Sequence, residues 1–143
     1  MGFLGTRAGL FADLSLIISI AGFIILCSGV VYAKRGILLR HFKMTRIAVI
    51  LTVTAFILWM GFSLIRSFQL IISHLTNLPI LVTVFHVVFG TSALILGIFF
   101  AFDKIIKKTR NPMRTVFLLW ILTVLLGITT YIMRYILIRS PAR

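Results

Sequence analysis

The residues of this chain whose side chains could do chemistry are few: three histidines, two aspartates, one cysteine and a scatter of hydroxyls and arginines among long apolar runs. Asp13 and Asp103 are the only acids, and they fall at opposite ends of apolar stretches, so a carboxylate pair cannot be assembled for acid–base catalysis. No Ser–His–Asp pattern and no glycine-rich phosphate loop is present, and the chain reads as a non-enzyme. Cys27 stands alone in an apolar run, which gives neither a disulfide framework nor a metal-ligand set. His41 and Met44, three apart, are soft enough for Cu(I) but too few to hold it. No metal site is expected.

Haem remains. His86 lies within an apolar run and is the best candidate for cofactor binding, with His41 the second. At 1.5 Å per helical residue the two differ in depth by about 24 Å, too far to share one iron. His74 could meet His86 only if the chain between them re-entered the membrane. The expectation is no cofactor, with haem b at His86 as the alternative.

Side chains so sparse need a scaffold, and composition dictates which. Hydrophobic residues are 61% and charged residues 12% of the 143, against about 45–50% and about 25% in globular domains. A core this small cannot hide so much apolar surface, so lipid must cover it. Hydrocarbon about 30 Å thick needs roughly 20 apolar residues per crossing. The runs predict an all-α, four-transmembrane-helix antiparallel bundle: one membrane domain over 1–143, with helices about 14–33, 45–66, 80–102 and 113–138. Thr76, Asn77 and Pro79 interrupt the longest run and leave 68–75 as an interfacial shoulder. Asn111-Pro112 marks the start of the last helix.

The net charge of +13 does not indicate nucleic acid, because ten of the fifteen Lys and Arg residues lie in the two loops 34–46 and 103–114. That bias places both loops in the cytoplasm and both termini outside a cell membrane, with the loops against anionic headgroups. The first run is long enough to span and is followed by Lys34-Arg35, unlike a cleaved signal.

Helices in lipid meet through small residues and polar side chains. His86, Gly90, Ala93 and Gly97 form one face of the third helix, and Trp120, Thr123, Gly127, Tyr131 and Arg134 one side of the fourth. The second offers Thr52, Ala55, Trp59, Ser63 and Arg66; the first offers Ser15, Ser19, Gly22 and Gly29. Gly90, Ala93, Gly97 and Gly127 are the expected packing positions. Asp13, Ser63, Arg66, His86, Tyr131 and Arg134 converge near the outer surface as a polar cluster. There Asp13 either pairs with Arg134 or Arg66 to fasten helix ends, or serves a substrate, proton or cofactor site.

Taken together, several short motifs resemble the YozB/CtaM-like family of small four-helix membrane proteins, a domain of unknown function. They are Asp13 before the first span, His41 with Met44, Met60-Gly61-Phe62-Ser63-Leu64, His86 with Gly90, Met113-Arg114-Thr115 with Trp120, and Gly127 with Tyr131. His41 and Met44 are one residue closer than that pattern has them, and no histidine stands near Thr109. The resemblance implies an accessory or assembly role around haem–copper terminal oxidases, and hence a larger membrane complex or homo-oligomer as partner. The alternatives are a small b-type cytochrome using His86 and, less favoured, a transporter or channel subunit.

Overall fold

The computed structural model describes residues 4–102 and 110–137. Five α-helices follow in order: α1 (Leu10–Lys34), α2 (Leu38–Ala55), α3 (Gly61–Ser73), α4 (Leu78–Ala101) and α5 (Arg110–Ile132), with no strand among the described residues. A π-helical segment, Phe56–Met60, joins α2 to α3 as one rod, and a second, Met133–Leu137, prolongs α5. Four stretches are long and apolar enough to cross a bilayer: Leu10–Lys34, Leu38–Gln69, Leu78–Ala101 and Asn111–Leu137. The chain is a multi-pass membrane protein with a helical-bundle fold. The half nearer the chain ends is called upper here, and the half nearer the basic turns lower.

The helices start earlier and run longer than the apolar runs alone suggest. The second begins at Leu38, because Arg40, Lys43 and Arg46 are good helix formers whose charged tips can reach water while their stems lie along the rod. From Leu38 to Ser73 the rod is about 54 Å long, well beyond the hydrocarbon thickness. Residues 68–73, expected as a separate shoulder, continue α3, and the chain turns only at 74–77. The lower turn is closed by Gly36 at φ +75°. Gly36 N–H donates to Ala33 C=O and Ile37 N–H to Tyr32 C=O, satisfying carbonyls that the end of α1 leaves open.

The four rods form two zipped hairpins, α1 with α2 and α4 with α5, which touch each other more sparsely through α1–α5 and α2–α4. In the first hairpin a Cβ on Gly22 would lie 3.0 Å from Thr52 Oγ1, and one on Gly29 3.3 Å from Met44 Cβ. In the second, Gly90 meets Thr123 and Gly97 meets Trp120, the partners their spacing implies. Leu26, Ala48, Val49, Ala93, Ala101 and Trp120 make the buried core at mid-height and below. Most other large apolar side chains point outward, Leu39 and Ile65 among the most exposed, as lipid-facing residues should.

Trp120 is the pivot of this packing. Its indole Nε1–H donates to the Ala93 carbonyl at 3.1 Å, and it fits because Gly97, one turn on, has no side chain: a Cβ there would stand 3.4 Å from Nε1. Gly97→Val is therefore expected to push the indole off its carbonyl. The cost should be about 1–3 kcal/mol of bundle stability, measured by reversible unfolding in mixed micelles, whereas Ile95→Val on the exposed face should cost far less.

Candidate functional site

In lipid no water satisfies a buried N–H, so each must find an acceptor in the protein. His86 does so as Trp120 does, with the helices exchanged. From α4 its Nδ1 lies 2.9 Å from the Thr123 carbonyl on α5, and Gly127, four residues beyond Thr123, clears the space. A Cβ on Gly127 would lie 2.9 Å from His86 Cε1. A carbonyl only accepts, so Nδ1 carries the proton and Nε2 of the neutral ring carries the lone pair.

His86 lines an upper chamber of about 240 Å³ between the two hairpins. Ser63, Tyr131 and Arg134 of the expected polar cluster also line it, and Trp120 forms its floor. Ser15, Ser19, Thr52, Thr83 and Thr123 contribute hydroxyls to its wall. Each of these donates its proton to a carbonyl of its own helix, four residues back, at 2.7–2.9 Å. That pattern satisfies hydroxyls in an apolar medium and leaves only oxygen lone pairs turned outward. With His86 Nε2, these groups present acceptors to a mostly apolar space, whose other polar lining includes Ser67, Thr91, Thr130 and Arg134.

Arg66 does not join the cluster. It is exposed and outside the chamber. The reason is the π-helical Phe56–Met60 segment, which inserts one residue into the rod and turns everything beyond it by about 100°. The chamber face thus passes from Trp59 and Met60 through Ser63 and Leu64 to Ser67 and Ile71, and misses Arg66. The same segment holds Gly61 against the Phe56 carbonyl, where a Cβ would lie 3.2 Å away. Beyond it α3 shares no extended contact with α4 or α5, so this wall of the chamber is a single helix. Phe62, Ile65, Phe68 and Ile72 on α3 are all exposed.

Asp13 lies behind the chamber, fully buried. Its described partners are hydrogen-bond donors: the Tyr131 hydroxyl donates to Oδ1, and Leu4 N–H donates to Oδ2 at 3.1 Å. Thr6 completes the group, its hydroxyl donating to the Tyr131 oxygen at 2.7 Å and accepting from Ala8 N–H. The Tyr131 hydroxyl is a partner that the expected pairing of Asp13 with Arg66 or Arg134 did not include. The result ties the start of α1 to the end of α5. Thr6 carried no helical periodicity that could have flagged it.

His41 is remote from all this. From the start of α2 its Nδ1 meets the Gly29 carbonyl at 2.9 Å, and it lines a different, lower cavity. His74 sits in the upper turn with Ser73 Oγ 2.7 Å from its Nδ1, outside the chamber lining. The described residues thus keep the three histidines apart. Among them no group of three or more His, Cys, Asp or Glu could hold a metal ion. Asp103 and the basic residues Lys104, Lys107 and Lys108 lie outside the described residues.

Compared with family models, with curated proteins and with solved structures, the chain matches none. The chamber's chemistry must be argued from its own residues.

Tyr131→Phe removes the hydroxyl that Asp13 accepts and should lower bundle stability by about 1.5–3 kcal/mol, the range for hydrogen bonds to charged groups. Asp13→Asn should cost a similar amount, and the double variant less than the sum of both, because they break one contact. Unfolding in mixed micelles reads all three.

Proposed function

We propose that the chain is a non-enzymatic accessory protein of a larger membrane complex, and that its upper chamber receives a lipid-soluble amphiphile bearing a hydroxyl. One observation carries this reading: in a mostly apolar chamber His86 Nε2 is an acceptor fixed by the Thr123 carbonyl, among wall hydroxyls whose protons are committed to their own helices, with Arg134 the cation of the lining. An alcohol or a phenol-type headgroup donates to such a group, whereas an ether or ketone of the same shape has nothing to donate. The volume of about 240 Å³ exceeds the roughly 150 Å³ cavity that takes up benzene. It suits a single ring or a length of alkyl chain. The single-helix wall at α3 supports entry from the bilayer.

The likeness to the YozB/CtaM-like family supports the accessory role and suggests a haem–copper oxidase as the complex, with the exposed apolar face of α3 as a contact surface. The charge bias of the basic segments supports an orientation with both termini outside a cell membrane. A second reading has one specific observation in its favour: a ring nitrogen held by a backbone carbonyl is how metal-bound imidazoles are oriented. This is the haem-carrier alternative at His86. A Soret band in purified protein, lost in His86→Ala, would establish it. The accessory reading expects no such band and co-purification with oxidase subunits in mild detergent.

The chain has only two tryptophans, Trp59 and Trp120, and both line the chamber, so ligand entry can be read by quenching. A brominated long-chain alcohol should quench their fluorescence saturably. The corresponding methyl ether should bind roughly five-fold more weakly, the equivalent of one net hydrogen bond. His86→Ala should erase the difference, and Gly90→Leu should block both ligands. Equal quenching by alcohol and ether in the unaltered protein would contradict the proposal.

A further inference from the structure

The lower half of the bundle holds a second cavity, larger than the first, that the reading above does not use. It encloses about 660 Å³, within the roughly 300–1,000 Å³ of ligand pockets. Trp120 closes it from above and is the residue shared with the upper chamber. Leu26, Val49, Phe100 and Phe117 make its interior apolar. At its lower rim are two exposed cations, Lys34 from the last turn of α1 and Arg114 from the first turns of α5. No acid lines it among the described residues.

Between rim and interior lie two polar atoms with nothing to bond. His41 Nε2 and Thr45 Oγ1 are buried and lack a hydrogen-bond partner among the described residues, and both residues line the cavity. His41 is only 6% exposed. Its Nδ1–H is committed to the Gly29 carbonyl, five residues deeper along α1 than Lys34, or about 7–8 Å. Buried polar groups are seldom left unpaired in a native fold. From the rim inward the cavity thus offers paired cations, then unsatisfied polar atoms, then an apolar interior.

We propose that this cavity binds one anionic glycerophospholipid of the leaflet that faces the basic segments. The phosphate sits between Lys34 and Arg114. The glycerol–ester region lies at the level of Thr45 and His41, where the threonine hydroxyl donates to an ester carbonyl and imidazole Nε2 accepts from the water that hydrates this zone. One acyl chain fills the space under Trp120. Basic pockets between membrane helices bind anionic headgroups in this manner. A soluble anion would satisfy the cations but leave the apolar interior empty. A zwitterionic lipid would fill the interior, but its own cation would offset the attraction of Lys34 and Arg114.

Native mass spectrometry of the full chain, released from mixed phosphatidylglycerol and phosphatidylcholine nanodiscs, tests this. One phosphatidylglycerol per chain should be retained in preference to phosphatidylcholine, and inorganic phosphate should not displace it. Lys34→Gln with Arg114→Gln should weaken retention by roughly five-fold for each cation removed. The charge-preserving exchange Lys34→Arg with Arg114→Lys should keep it. Arg40→Gln is the control: Arg40 is a nearby cation at the start of α2 that lies over the Tyr32 ring and does not line the cavity, so retention should hold. Equal retention of both lipids, displacement by phosphate, or a loss in Arg40→Gln matching the double variant would overturn the proposal.

Discussion

A donor buried in hydrocarbon has no water to fall back on, and that constraint shapes the interior of this bundle. The chain meets it by inserting heterocyclic N–H groups onto carbonyls of the neighbouring helix. Trp120 reaches Ala93 beside Gly97, and His86 reaches Thr123 beside Gly127. The two insertions run in opposite directions across one helix pair. Each requires a residue without a side chain one turn past the accepting carbonyl, and this is why the small residues stand where they do. His41 reaching Gly29 applies the principle once more in the other hairpin. The glycines here are gaps for rings as much as surfaces for backbone contact.

Zipping helices in pairs leaves the two hairpins loosely joined, and polar contacts at the two ends with apolar packing between hold them together. At the upper end, Asp13, Tyr131 and Thr6 tie α1 to α5. At the lower end, Arg46 Nε–H donates to the Ala101 carbonyl at 2.9 Å, joining α2 to the last turn of α4; helix ends leave such carbonyls open, and they attract cations. In the middle, Val49 packs on Gly97 beside Trp120. Between these three fastenings the hairpins stand apart, and the two cavities occupy the intervals. The cavities thus follow from an architecture of tight pairs and sparse cross-links.

Much of this was legible in the sequence. Apolar runs and basic loops gave four spans and their order. The i, i+4 and i+7 spacing of His86, Gly90, Ala93 and Gly97 marked the α4 face that meets α5, because an uninterrupted helix keeps its phase. The phase of the second rod was lost at Phe56–Met60, since no residue there announces a π-helical turn, and Arg66 was assigned to the wrong side in consequence. The tyrosine partner of Asp13 was hidden by chemistry: an acid among arginines suggests an ion pair first, and a tyrosine in an apolar run reads as packing, although its hydroxyl can meet a buried carboxylate at modest desolvation cost. The lower cavity had no signal at all. Voids arise from how hairpins lean on each other, and single-helix periodicity does not record that.

The functional reading rests on which nitrogen of His86 bears the proton. Solid-state nitrogen NMR of histidine-labelled protein in bilayers, with His86→Gln to assign the signal, reports this directly. The bond to Thr123 requires a protonated Nδ1 and a bare Nε2, with the Nε2 resonance moving when a long-chain alcohol is added. A ring protonated at Nε2 and bare at Nδ1, unmoved by the alcohol, would contradict both the inserted geometry and the acceptor-lined chamber.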